Sequence, residues 1–176
     1  MNCETPEKSD SPAPLFTLLS PTQTKVHFSN TLTEGLNTNV MMYEYFYNGG
    51  GVAVGDLNND GLEDIYFTGN MSPNALYINK GNMEFEDVTT SSGAGGKPGP
   101  WKTGVTMVDI NGDRLIDIYV CYSGNMQPAK RRNQLFINLG AESAGGIPRF
   151  SEQAEKYGLD VGSASTHAVF FDYDKD

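Results

Sequence analysis

Cysteine is scarce in this chain: 176 residues hold two, Cys3 and Cys121, so no disulfide framework can brace the fold. Histidine is equally rare. His27 and His167 lie far apart, and neither stands at a spacing that pairs it with a serine or cysteine nucleophile. Triad chemistry therefore has no support in the sequence, and both histidines read as structural. Positive charge is in short supply: 12 basic against 22 acidic residues leave a net charge of −10, so the basic footprint of a nucleic-acid binder is missing. No run approaches the roughly 20 apolar residues needed to span a bilayer as a helix, and no secretory leader is visible, as is also the case once a leader has been removed. Cys121, within an apolar run, reads as a buried free thiol.

What the chain has in quantity is glycine, with 20 residues, alongside 9 prolines and 11% aromatics. That mixture suits an all-β protein with many tight turns. Its acids are also concentrated. Asp56, Asp60 and Asp64, then Asp109, Asp113 and Asp117, then Asp172, Asp174 and Asp176 form three clusters. Three carboxylates within nine residues repel one another unless a cation sits among them.

The clusters belong to an internal repeat. Residues 51–67, GVAVGDLNNDGLEDIYF, match residues 104–120, GVTMVDINGDRLIDIYV, at nine of 17 positions. The likeness continues through NALYINKG at 74–81 and NQLFINLG at 133–140, and more loosely through FEDVTTSSG at 85–93 and FSEQAEKYG at 150–158. A third copy opens at AVFFDYDKD, residues 168–176. The second unit is longer through extra residues around 123–132 and 141–148, which belong in loops.

Each unit reads as four short strands, at 51–57, 64–69, 75–79 and 84–89, then 104–110, 117–122, 134–138 and 149–152. Residues 152–158 suggest one helical turn ending at Gly158. Strands such as Asp64-Ile65-Tyr66-Phe67 carry apolar residues on both faces, as stacked sheets require. The expected organisation is a tether over 1–23, lead-in strands within 24–50 (at 24–29 and 40–47), a blade over 51–100, a second over 101–163 and a truncated third over 164–176. Gly49-Gly50-Gly51 supplies a sharp turn into the first blade.

The spacing D-x-N-x-D-G-x-x-D places oxygen donors at loop positions 1, 3, 5 and 9, with a backbone carbonyl at 7. Ca²⁺ is a hard cation wanting six to eight oxygens, so this spacing suits it. The first loop offers Asp56, Asn58, Asp60, the Leu62 carbonyl and Asp64; the second offers Asp109, Asn111, Asp113, the Leu115 carbonyl and Asp117. The third has Asp172, Asp174 and Asp176 and lacks position 9, so weaker binding is expected there. A metal-free reading also exists, in which the aspartates cap amides of a polar turn. Arg114 stands where the first loop has Gly61, so the second loop either strains that residue or shifts its bend to Gly112. An EF-hand is rejected, because position 12 is Phe67 or Val120 and the flanks read as strands.

The run G-V-A-V-G-D-x-N-x-D-G-x-x-D-I-Y, followed by N-x-L-Y-I-N-x-G and F-x-D-V-T, resembles FG-GAP/VCBS repeats, and more narrowly the cartilage-acidic-protein-like group often associated with an ASPIC/UnbV domain. The resemblance covers residues 49–176 and implies blades like those of the integrin α propeller, with Ca²⁺ between the first two strands of a blade and the same loop residues as ligands. Thr68-Gly69-Asn70 replaces the Gly-Ala-Pro that names FG-GAP, Arg114 departs from the loop pattern, and no ASPIC/UnbV segment is present. Two full units cannot close a ring that normally needs at least four blades, so a partial β-propeller from the N-terminal part of a longer protein is expected.

The opening Met1-Asn2-Cys3-Glu4 and its polar tether resemble the mature start of a bacterial lipoprotein with Cys3 lipidated; an incidental terminal cysteine is the other reading. Lipidation would anchor the chain to a membrane without spanning it. Trp101 reads as a packing anchor that could stack on a sugar if exposed. Lys130-Arg131-Arg132, in the inserted loop, is the candidate partner contact, and Asn70-Met71-Ser72 is a formal glycosylation sequon. Together these features describe a non-catalytic, calcium-binding, extracytoplasmic module, secreted or held at the cell surface, that recognises a protein or glycan through its blade loops. The alternatives are the non-catalytic part of a calcium-dependent polysaccharide-acting enzyme, or a purely structural assembly unit.

Overall fold

A computed structural model describes residues 14–99 and 101–174. Cys3, most of the expected tether and Asp176 lie outside the described residues. Among the described residues, eight strands form two four-stranded antiparallel sheets in simple meander order. The first holds β1 (Val52–Gly55), β2 (Asp64–Phe67), β3 (Ala75–Asn79) and β4 (Phe85–Asp87); the second holds β5 (Lys102–Val108), β6 (Asp117–Tyr122), β7 (Gln134–Asn138) and β8 (Phe150–Glu152). All eight strands expected within the blades form, within three residues of their expected ends. Short meander strands rich in Ile, Tyr, Phe and Val pair locally, because each hairpin turn is closed by residues beside it. The chain is thus nearly all-β, as two propeller-type blades.

The blades stack face to face. Tyr66, Leu76 and Ile78 of the first sheet share a buried cluster with Ile118, Val120, Tyr122 and Phe136 of the second. The repeat equivalents Tyr119, Leu135 and Ile137 lie on the far face of the second sheet, where Ala168 and Phe170 of the third copy cover them. Glycine permits close approach at the inner strands. A Cβ on Gly51 would lie 2.7 Å from the Thr103 carbonyl oxygen, and one on Gly104 would lie 2.5 Å from that of Thr166. The third copy therefore begins in the same stacking register, although its described residues form no strand.

The lead-in differs from expectation. Residues 24–29 and 40–47 form no strands. Over 39–48 the chain winds through consecutive turns, with the amides of Met42 and Tyr43 bonded to the Asn39 carbonyl and that of Phe46 to Tyr43; the Asn39 side chain also accepts from the Met41 and Met42 amides. These local bonds outcompete strand pairing. Residues 25–29 make no ladder, yet Val26 and Phe28 pack on the outer face of the first sheet against Ala75, Tyr77 and Phe85, with Phe28 stacked on Phe67 at 4.8 Å. Upstream, α1 (Pro21–Thr24) is a single turn capped by Ser20.

Two further short helical features close the blades. A single turn, α2 (Thr89–Ser92), ends at Gly93 with φ +78°. Its counterpart in the second unit is the turn at 153–158, with a Tyr157-to-Gln153 bond and Gly158 at φ +68°.

Candidate metal-binding loops

Both acidic loops connect the first two strands of a blade, and their frames repeat closely, the second adding a bond from the Gly112 amide to Asp109. In the first, Asp56 accepts from the Asp60 and Gly61 amides at 3.1 and 2.8 Å. In the second, Asp109 accepts from the Asp113 and Arg114 amides at 3.2 and 2.9 Å. Asn58 donates to Asp60 as Asn111 donates to Asp113, and the amides of Leu62 and Leu115 reach Asp60 and Asp113. Positions 4 and 6 are left-handed in both: Asn59 and Gly61 at φ 56° and 83°, Gly112 and Arg114 at φ 74° and 70°. Arg114 therefore takes the glycine conformation itself, and Gly112 replaces Asn59 at the other bend.

Position 9 is the buried member. Asp64 and Asp117 are fully inaccessible. Asp64 accepts from the Leu57 and Asn79 amides, and Asp117 from those of Ile110 and Asn138. Loss of water raises both carboxyls above the ordinary carboxylate range, Asp64 to about 6, and the neighbouring loop aspartates push the same way. The donors are all oxygens, and a carboxylate holding two amide bonds keeps free lone pairs. That donor chemistry fits a hard cation such as Ca²⁺. Among the described residues no three Asp, Glu, His or Cys side chains gather tightly enough to form a cage unaided. In the third copy, Asp172 and Asp174 are exposed.

Several asparagines that the sequence reading does not single out as site residues tie the loops to the sheets and the strands to one another. Asn79 and Asn138 each bond through Oδ1 to the glycine amide two residues on. Their Nδ2 groups reach back to the acidic loops, Asn79 to the Glu63 carbonyl and Asn138 to those of Ile116 and Leu57. Asn74 and Asn133 bond Tyr66 and Tyr119 respectively, whose hydroxyls donate to the Ala94 and Leu159 carbonyls. The recurrence of Asn in NALYIN and NQLFIN was the available signal.

Elsewhere the structure sorts the remaining candidates. Trp101 is buried against Phe46 and Tyr43, so it is the packing anchor and offers no sugar platform. Asn70 is wholly buried, its carboxamide donating to the Gly49 and Lys102 carbonyls and accepting from Asn30, so the sequon cannot carry a glycan in the folded chain. Arg131 clamps the Gly124, Met126 and Gly162 carbonyls and Arg132 pairs with Asp160. Two members of the basic cluster thus serve internal bonds, leaving Lys130 outward. Cys121 is a buried free thiol, raised to about 11 by loss of water. Among the described residues, no helix is long and apolar enough to cross a membrane.

Comparison with known proteins agrees with this architecture. A family profile described as FG-GAP-like repeat matches residues 56–120, from the first loop aspartate to the second strand of the next blade. Cartilage acidic protein 1 of Xenopus tropicalis is 31% identical over 132 residues, covering 74% of this chain and 19% of that protein. The chain thus spans about a fifth of that relative's length. With two blades stacked in one register and an acidic loop in each at the same place, the chain belongs to the FG-GAP repeat family.

Proposed function

We propose that the chain is a calcium-binding, non-catalytic recognition module that works outside the cytoplasm, secreted or at the cell surface, and presents its blade loops to a protein or glycan. The single observation that supports the metal is the repetition of the same aspartate-to-amide frame in the two loops, Asp56 to Asp64 and Asp109 to Asp117. A polar turn needs no such set of carboxylates around it, and two buried aspartates held uncompensated are costly unless a cation or proton offsets them. Calcium would recruit Asp56, Asn58, Asp60, the Leu62 carbonyl and Asp64 in one blade, and Asp109, Asn111, Asp113, the Leu115 carbonyl and Asp117 in the next. Asp172 and Asp174 would form part of a third site. The ion would draw donors together, so binding and loop rigidity are coupled.

The relative's printed name and the absence of a hydrolytic constellation in the sequence support the extracytoplasmic, non-catalytic part of this reading. Anchoring through Cys3 is part of the same proposal. The test is thermal unfolding of the chain with calcium and with excess chelator. Calcium at 100-fold above its dissociation constant should add about 2.7 kcal/mol per site, and Asp60→Ala should abolish about half of the calcium-dependent gain. A melting temperature indifferent to chelator would overturn the metal assignment.

A further inference from the structure

Opposite the acidic loops, at the beginning of the inner strands, the first residues of three successive repeat copies meet around a cup of about 300 Å³. Its lining is Tyr43, Tyr45 and Asn48 from the lead-in, Trp101 at the entry to β5, Thr166 and His167 from the third copy, and the glycine and threonine backbone of the strand starts. Not one lining residue is charged, in a chain carrying 34 charged side chains. The wall is rigid at its back. Trp101 meets Tyr43 edge to face at 5.4 Å, and the Tyr43 hydroxyl is bonded to Ser123 at 3.1 Å. At the rim the ring of Tyr45 is half exposed.

Among the described residues, four polar groups on this rim make no hydrogen bond: the Tyr45 hydroxyl, the Asn48 carboxamide, the Thr166 hydroxyl and the His167 imidazole. By contrast, the strand-start amides are already spent, Gly51 on the Thr68 hydroxyl and Gly104 on the Thr166 carbonyl. A peptide adding itself as a strand would find no free ladder there. An ionic ligand would lose its water against an uncharged wall without gaining a counter-charge. Donors and acceptors set beside an exposed aromatic ring suit a neutral ligand with one apolar face and several hydroxyls.

The geometry points to this cup as the binding site for a neutral sugar residue, with Tyr45 stacking on the ring and Asn48, Thr166 and His167 bonding its hydroxyls. This rests on the recognition role proposed above and gives it a site and a ligand class. The test is titration of the calcium-loaded chain with glucose, galactose, mannose, N-acetylglucosamine and their neutral disaccharides, followed by amide chemical shifts. At least one sugar should saturate shifts clustered on residues 48–51, 101–104 and 166–167. Tyr45→Ala and His167→Ala, both at exposed side chains, should each weaken that sugar at least fivefold while leaving the melting temperature unchanged. The proposal is overturned if no sugar moves those amides at millimolar concentration, if both variants bind like the parent, or if only an uncharged peptide occupies the cup. Calcium stabilisation without any sugar effect would sink the cup and leave the metal-binding module standing. Sugar binding in a chain indifferent to chelator would do the reverse.

Discussion

Arg114 and Gly61 hold the same place in two otherwise matching loops, at φ 70° and 83°. An L-residue there pays roughly 1–2 kcal/mol, and the second loop carries that cost because its aspartate-to-amide bonds fix the bend. A Cβ at Gly61 would meet nothing within 4 Å, so a substitution there reports the backbone alone. Gly61→Ala should therefore lose about 1 kcal/mol in urea unfolding, and Arg114→Gly should gain about 0.5 kcal/mol once glycine's extra unfolded-state freedom is subtracted. A neutral Gly61→Ala with a destabilising Arg114→Gly would contradict the shared left-handed bend. The positions of the acids were legible in the sequence because ligand spacing is a local property. The left-handed state of Arg114 was one of two readings left open, and only the amide bonds to Asp109 decide it.

Strands and turns of each blade act as a unit through the asparagine ending the third strand. Asn79 and Asn138 look alike in sequence, yet their surroundings differ. Asn79 reaches only its own blade's loop, at the Glu63 carbonyl. Asn138 is almost fully buried and joins the Ile116 carbonyl of its own blade to the Leu57 carbonyl of the preceding one, at 3.1 and 2.9 Å. Removing it strands the buried Leu57 carbonyl and the partly buried one of Ile116, and each unsatisfied buried group costs about 1–3 kcal/mol. Asn138→Ala should cost about 3 kcal/mol and Asn79→Ala about 1 kcal/mol, compared by denaturant midpoints at equal slope. Equal losses would mean the blade-to-blade bond contributes nothing. The lead-in shows the converse failure of local reading. Val26 and Phe28 have the alternation of a strand, but the sheet face they meet supplies packing and no free ladder edge.

Across the whole molecule, the sheets use their two faces in a directional way. Ile118, Val120 and Phe136 of the second blade receive the first blade. The equivalent face of the first blade, with Ile65, Phe67 and Tyr77, receives Val26 and Phe28. Residues 25–29 thus stand in for part of a preceding blade, while Val52 and Val54 beside them stay exposed. At the other end Val169 and Phe171 face outward. Each blade also contributes one buried aspartate to a chain already at −10, which makes global stability depend on protons. Asp64, raised to about 6, and Asp117, raised in the same direction, favour the folded state in their protonated form. The Asp64 contribution is full below the ordinary carboxylate range and is lost as pH rises through about 6, and Asp117 acts in the same direction. In chelator the melting temperature should therefore be higher at pH 5 than at pH 7.5. Calcium should flatten that dependence by replacing the proton, and Asp64→Asn should flatten part of it without calcium. Steady loss of stability on acidification of the chelated chain would contradict the buried-carboxylate account.

The sequence alone determined the repeat, the eight strands, the turns between them and the acidic loops, because strand alternation and ligand spacing are set by residues a few positions apart. Tertiary structure decided which face of each sheet meets its neighbour, what covers the first blade, and how the starts of three copies enclose an uncharged cup. It also decided the fate of Asn70, whose sequon is readable locally while its burial comes from Asn30, Gly49 and Lys102, 21 to 40 residues away. Such outcomes depend on which side chains arrive together in space, and no window of neighbouring residues carries that information.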